Sequence, residues 1–389
     1  MSDQMLIFNA RVYLAGGILT PGWVLIGGGR IARVGQGEPP EGLPIARSID
    51  AGGKHVLPGF IDLHIHGSAG YEVMDCDPNS ILGMARFLVT RGVTGFLPTT
   101  LTAAHEHILA AVQAVKHAAE QPLQGRAAIL GMHLEGPYIN PQRCGAQDPS
   151  QIRKADRREF SELVSTGMIR LVALAPELPE NLWLITACEE LGITTSAGHT
   201  STNLEQISQA AALGLSQVTH LFNAMSPFNH RELGTVGAAL ALDGLNCEMI
   251  CDNVHVHPLA QKVALRSKGV ERIILISDAL RCAGLPDGSY IMDQQEVFKR
   301  DCACYLENGS LAGSVISIDQ ALKNILANSG LNLEQGWCMS SLNAAKAIHL
   351  DDKKGSIAAG KDADLVLLDD DLAVCMTIVA GKIVYEVSE

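Results

Sequence analysis

Between residues 54 and 349 the chain alternates between two textures, and this alternation restricts the fold more than any other feature. Eight short apolar runs read as strands: FIDLHIHG (60–67), VTGFLPTT (93–100), AAILGMHLEGP (127–137), IRLVALAPE (169–177), ITTSAGHT (193–200), LSQVTHLFN (215–223), CEMICDN (247–253) and RIILISDA (272–279). Helix-like stretches lie between most of them, at 80–92, 105–121, 181–192 and 203–214 among others. Strands that alternate with helices build parallel sheets, because a parallel neighbour needs a long crossover connection. Eight such units fit a (β/α)8, TIM-like barrel of about 250 residues. A doubly wound open sheet would alternate similarly, but no G-x-G-x-x-G follows the first strand.

The two ends differ from the middle. LIFNARVYL, WVLIGG and RIARVG are short β-prone runs divided by glycine-rich turns, and 362–386 has the same texture. The expectation is an α/β protein in two parts: a small β-sandwich domain from 1–53 and 350–389, and a barrel from 54–349. The 389 residues are 47% hydrophobic and 18% charged, enough for a large core. A formal net charge of −13 disfavours nucleic acid and anionic membrane as partners. The N-terminus has no secretory pattern, no apolar run approaches the roughly 20 residues of a membrane span, and the ten cysteines lack metal spacing. These features lead us to expect a cytoplasmic protein with reduced thiols.

In a barrel the chemistry gathers at the C-terminal ends of the strands. In FIDLHIHG, alternation sets Asp62, His64 and His66 on the face opposite Ile61, Leu63 and Ile65. The third run ends in His133 and Glu135, the fifth in His199, the sixth in His220 and the eighth in Asp278. One such histidine is ordinarily a packed core residue, and one such strand face can simply be solvated. Recurrence at one end of five strands points instead to a metal centre. Imidazole with carboxylate suits zinc, and also iron, manganese or cobalt. Such a centre acidifies water, and Asp278 is the natural general base.

PGFIDLHIH at 58–66 and GSIAAGKDADLV at 355–366 resemble the amidohydrolase superfamily. Many of its members bridge two metals with a carboxylated lysine on strand 4. IRLVALAPE has no lysine, which leaves Glu135 as the available bridging carboxylate. HLEGPYINP, AGHTS, THLFNAM, HRELGTVG, ISDA and LAGS together resemble the N-acetylglucosamine-6-phosphate deacetylases, from about residue 54 to the C-terminus. The N-acetylgalactosamine-6-phosphate deacetylases are similar over DLHIHGSAGYEVMD and DALRCAGLPDGSY.

That resemblance implies hydrolysis of an acetamide on a phosphorylated amino sugar. It implies Glu135, His199 and His220 as metal ligands, and His64 and His66 as ligands of a second ion, so one or two ions per chain. It gives Asp278 as acid and base, and Asn223, the Ala224 backbone, Arg231 and His255 as substrate and phosphate contacts. Ala146 and Leu311-Ala312-Gly313 match the sugar pocket, and a homodimer is implied in which Arg231 or His255 serves the neighbouring site. Where the family often has Lys-Gly-Ala-His, this chain has Cys144-Gly145-Ala146-Gln147. Gln147 either faces solvent in a drifted loop or binds the sugar without charge. Two other functions are compatible with a metal site. A cyclic-amide hydrolase is disfavoured by the missing lysine. A non-catalytic metal sensor is disfavoured by Asp278, since a sensor needs no proton shuttle.

Overall fold

The computed structural model describes residues 4–43, 45–292 and 295–387. Each of the eight runs contains a strand: Phe60–Ile65, Val93–Pro98, Met132–Glu135, Ile169–Leu174, Thr194–Ala197, Gln217–Val218, Asn246–Ile250 and Ile273–Ile276. Phe60–Ile65, Val93–Pro98 and Ile273–Ile276 are buried at every position, because the strands are covered on both faces. All eight lie parallel to their neighbours, but they fall into two sheets. The third to eighth strands form one sheet in chain order, and the first two pair with each other and with Ala128–Ile129.

The two sheets meet at both seams. Thr99 bridges His133 on one side, and Ile65 bridges Ala279 on the other. At the second seam the Asp278 N–H donates to the His64 carbonyl at 2.8 Å. Both seams lie at the C-terminal ends of the strands, where the polar residues are.

Helices follow the strands in turn. Pro78–Val89 starts because Asp77 accepts from the Asn79 N–H and proline occupies the first turn. It buries Ile81, Met84, Ala85 and Leu88, one helical face, against the strands. Among the described residues no helix is long and apolar enough to cross a membrane.

The termini build a separate β-rich unit, as the sequence suggested, but the unit is one rolled sheet rather than two facing sheets. Gln4–Leu14 pairs with Gly17–Gly27 along one edge. Along the other it pairs first with Ile45–Asp50 and then with His55–Pro58. His55–Pro58, beyond residue 53, in turn pairs with Leu365–Leu368, which carries the C-terminal strands. The edge strand Arg30–Gln36 then meets, at its start, the segment that leads into Leu365–Leu368: the Ile31 N–H donates to Lys361 and the Ala363 N–H to Gly29. The roll closes on its own core of Ile7, Val12, Val24, Ile26, Val56, Leu365 and Ile378.

One element was not foreseen. After the eighth strand the chain makes an antiparallel meander of Gly288–Met292, Gln295–Arg300, Ala303–Tyr305 and Leu311–Ser314. Its last strand lies parallel to the segment after Asp278. The Ser314 N–H donates to the Asp278 carbonyl and the Leu280 N–H to Ser314, both at 3.0 Å.

Candidate metal centre and substrate cleft

Five expected ligands and Asp278 converge at the seam. Glu135 ends the third strand and is 2% exposed. Its Oε1 lies 3.2 Å from His199 Nε2, 3.1 Å from His220 Nε2 and 3.3 Å from His64 Nε2. Its Oε2 lies 3.2 Å from His66 Nε2. The two strand-1 imidazoles face each other at 3.3 Å, and His199 and His220 at 3.1 Å. Asp278 Oδ1 is 3.2 Å from His66 Nε2 and 3.4 Å from His64 Nε2.

These separations test the fit to a cation. Ligand bonds of about 2.0–2.1 Å in tetrahedral geometry put donor atoms about 3.3 Å apart. The groups Glu135–His199–His220 and His64–His66–Glu135 both approach that spacing. The Nδ1 atoms of His66 and His199 face backbone carbonyls, which only accept, so the neutral rings carry their hydrogen there and turn bare Nε2 lone pairs toward neighbouring nitrogens and Glu135. A divalent ion in each group removes that conflict, so the donor set fits one.

Local backbone geometry serves this convergence. His199, His220 and Asp278 have φ values of +46°, +30° and +47°, in a region non-glycine residues rarely occupy. Strain of this kind costs about 1–3 kcal/mol per residue and collects at functional sites. Gly136 follows Glu135 at φ +76°, where a Cβ would lie 2.0 Å from Thr102 Oγ1. The glycine therefore lets the chain turn directly under the ligand.

Three of the four outer nitrogens are engaged, while Nδ1 of His220 is buried without a hydrogen-bond partner. His199 Nδ1 is 2.8 Å from the Arg143 carbonyl, and His66 Nδ1 is 3.2 Å from that of Thr99. His64 Nδ1 lies 3.1 Å from Glu248 Oε2. Anchors of this kind leave Nε2 for a metal and hold the ring in place. His133 shares the face of Glu135 but is not a ligand of either group; it packs edge-on against His64, with neither ring nitrogen hydrogen-bonded. Burial and the His64 charge keep it neutral, well below the ordinary histidine range.

Electrostatics tie the cluster together. Burial alone would raise the Asp278 carboxyl, but the charges of His64 and His66 outweigh it and hold Asp278 at about 2. Burial opposes charge on His66, yet its contacts with Asp278 and Glu135 carry it to about 9. Asp62 departs from the expected alternation, since the pairing of its strand shifts between Asp62 and Ile65. It turns away from the metal groups, accepts from the backbone N–H groups of Ser277 and His64, and burial lifts it to about 6.

A cavity of about 210 Å³ opens onto the centre, with His66, Glu135, His199, His220 and Asp278 in its lining. Ala146 and Gln147 form one wall, and Asn223, Ala224 and His255 another. Leu311, Ala312 and Gly313, on the unforeseen meander, form a third. Gln147 is 6% exposed and does not face solvent. Its Oε1 accepts from the Thr102 N–H at 2.6 Å, which turns Nε2 toward Glu135 Oε2 at 2.7 Å. His255 Nδ1 is held 2.5 Å from Asp252 Oδ2. Arg231 is the exception: it is exposed on the loop before Gly234–Ala241 and does not line this chain's cavity.

Sequence reasoning missed Glu248, Gln217, Thr102 and Glu177. Glu177 accepts from Asn140 Nδ2 at 2.7 Å and from the Ser201 N–H at 2.6 Å, which ties the loops after the third and fifth strands. The available signal for Glu248 was an acidic residue inside the apolar run CEMIC.

Parallel strands, a seam of imidazoles around one carboxylate and an acidic residue at the last strand define a metal-centred hydrolase, and the chain belongs to the amidohydrolase family, whose model matches residues 55–384. Within that family it falls among the N-acetylglucosamine-6-phosphate deacetylases. It is 39% identical to the N-acetylglucosamine-6-phosphate deacetylase of Bacillus subtilis (strain 168), over 99% of this chain and 98% of that one. It is 35% identical to an N-acetylgalactosamine-6-phosphate deacetylase of Escherichia coli O157:H7, over 84% and 87%. A mutant N-acetyl-D-glucosamine-6-phosphate deacetylase of Mycobacterium smegmatis, solved with N-acetyl-D-glucosamine-6-phosphate, superposes at TM-score 0.91. That match has 31% identity and covers 98% of this chain and 99% of that one.

Proposed function

We propose that this protein is a metal-dependent deacetylase that converts N-acetylglucosamine 6-phosphate to glucosamine 6-phosphate and acetate. The carrying observation is the convergence of Glu135, His199 and His220 on one point beside Asp278, at the floor of the cavity. Glu135, His199 and His220 would hold one divalent ion, most readily zinc, and His64, His66 and Glu135 a second; iron, manganese or cobalt suit the same donors. When bound, such an ion would supply Lewis acidity toward the acetyl carbonyl and toward water. Asp278 takes the proton from the attacking water and returns it to the departing amine nitrogen. Its strained backbone and its bond to the Ser314 N–H aim the carboxylate into the cleft.

Asn223, the Ala224 backbone and His255 receive the sugar phosphate on one wall, and Ala146, Gln147 and Leu311–Gly313 hold the sugar. Arg231 is too exposed to act in its own cavity, which supports a homodimer in which it reaches the neighbouring site. We further propose that the parallel strands close as a (β/α)8 barrel over 54–349. The rolled sheet of 1–53 and 350–389, extended to Pro58, buttresses it. The setting is cytoplasmic.

The test is acetate release from N-acetylglucosamine 6-phosphate by chelated protein, before and after zinc is restored. Metal-dependent turnover is expected, and none with any divalent ion would refute the proposal. N-acetylgalactosamine 6-phosphate is a second reading, favoured by the E. coli relative and by Gln147 at a position where the family often has histidine. Comparing kcat/KM for both epimers in the wild type and Gln147→Ala decides between them. A changed ratio is expected if Gln147 reads the sugar, and unchanged values for both epimers would show that it does not.

A further inference from the structure

Strand Asn246–Ile250 is apolar except for Asn246 at its start and Glu248, and Glu248 is fully buried. Its Oε2 lies 3.1 Å from His64 Nδ1 and 3.3 Å from the backbone nitrogen of His220. Its Oε1 accepts from Gln217 Nε2 at 2.6 Å. A backbone N–H can only donate, so Oε2 is an acceptor. His64 Nδ1, facing the same oxygen, must then carry its ring hydrogen. That leaves the lone pair of a neutral His64 on Nε2, the atom that faces Glu135, His66 and Asp278. The acceptors that face Nε2 lie farther off, Glu135 Oε1 at 3.3 Å and Asp278 Oδ1 at 3.4 Å, and a cation held there would take the place of a hydrogen.

Glu248 also acts on the second group. By accepting the His220 N–H it holds that residue at φ +30°, the conformation that turns Nε2 toward Glu135. A second contact reinforces this, because the Leu221 N–H donates to the Glu248 backbone carbonyl at 2.8 Å. One buried carboxyl thus touches one ligand from each of the two metal groups. His64, His133 and Glu248 are also close enough to hold an ion of their own. A hydrogen on His64 Nδ1 excludes that arrangement, since a protonated nitrogen cannot ligate.

We propose that Glu248, braced by Gln217, is the positioning residue of the metal centre: it sets the His64 tautomer and the His220 backbone so that both present Nε2 to the cation. The inference rests on the ligand roles of His64 and His220 proposed above. The experiment compares Glu248→Ala, Glu248→Gln and His220→Ala in the full chain. Zinc affinity is read by competition with a chromophoric chelator, and imidazole tautomers by ¹⁵N NMR of the zinc-loaded protein. Loss of an outer partner of this type costs roughly 10–100-fold in metal affinity. Glu248→Ala is expected to lose that much and to lose the protected His64 Nδ1–H signal. Glu248→Gln keeps the shape and one acceptor oxygen and should recover part of both.

A folded Glu248→Ala with zinc affinity within about twofold of wild type and an unchanged tautomer signal overturns the role of Glu248. Where the alanine variant does not fold, Glu248→Gln decides. A shifted His64 signal with weakened zinc supports the role, and wild-type values of both overturn it. His220→Ala separates the two layers of the argument. If it binds zinc like wild type, the ligand reading fails; if it loses zinc while the Glu248 variants do not, only the positioning role fails.

Discussion

Asp278→Asn should remove turnover while leaving the fold and the metal in place. Asparagine is the informative replacement because Asp278 sits at φ +47°. Asparagine and aspartate tolerate that region far better than most residues, so the backbone that carries the Ser314 contact is kept. Asparagine also keeps the volume but cannot accept a proton at neutral pH. Among the described residues that line the cleft, no other acidic group can substitute: Glu135 is engaged by four imidazoles and by Gln147. General acid–base catalysis contributes typically 10²–10⁴-fold, or about 3–5.5 kcal/mol of barrier at 1.36 kcal/mol per decade. Glu135, His199 and His220 form a group that does not include Asp278, so at least one ion per chain should remain. The assay is kcat by acetate release, paired with elemental analysis of the same desalted sample. A metal-loaded variant within tenfold of wild-type kcat would refute Asp278 as the proton carrier. Loss of activity together with all metal would make Asp278 a ligand instead.

The phosphate should matter to the rate. Two charge-assisted contacts at roughly 1.5–3 kcal/mol each correspond to about 10²–10⁴-fold in kcat/KM between the 6-phosphate and plain N-acetylglucosamine. Equal values would remove the phosphate role of the Asn223–His255 wall. After saturation and desalting, elemental analysis should find two ions per chain. His64→Ala combined with His66→Ala should reduce this to one, and a ratio of one in both proteins would count against the second group. Lys354 Nζ lies 2.6 Å from Asp364 and 2.9 Å from Asp362, at the segment where the rolled sheet closes. Burial opposes its charge, but the two carboxylates raise its pKa above the ordinary lysine value. A raised lysine stabilises the fold below its unfolded pKa of about 10.4 and loses that effect as pH climbs through the folded value. Lys354→Met should therefore cost on the order of 3 kcal/mol in urea unfolding at pH 8, with the gap from wild type narrowing above about pH 10.5. A gap as large at pH 11 as at pH 8 would show that the loss is one of packing.

What was legible in the sequence depended on how local the determinants are. The parallel strands could be read because most are short apolar runs, buried on both faces and separated by helix-like stretches. The cluster of imidazoles and carboxylates could be anticipated because its members sit at or near the ends of such runs. The meander at 288–314 could not, since its strands carry exposed polar residues and glycine, and their order depends on docking against Asp278. The rolled sheet was seen as β-rich but not as rolled, because its closure joins Gly29 to Ala363, more than 300 residues away. Asp62 was placed wrongly for a local reason: strict alternation fails where pairing shifts between Asp62 and Ile65. Glu248 shows what the same reasoning could have reached. An acidic side chain in the middle of a buried strand is costly unless something compensates it. Glu135, Glu248 and Asp278 all lie within hydrogen-bonding or ion-pair range of His64. Three acidic groups around one imidazole, with little access to water, is an arrangement that calls for cations. Glu248 beside His64 and Asp62 beside the Ser277 N–H show the same rule: an acidic residue inside an apolar strand marks where a donor or a positive charge compensates it.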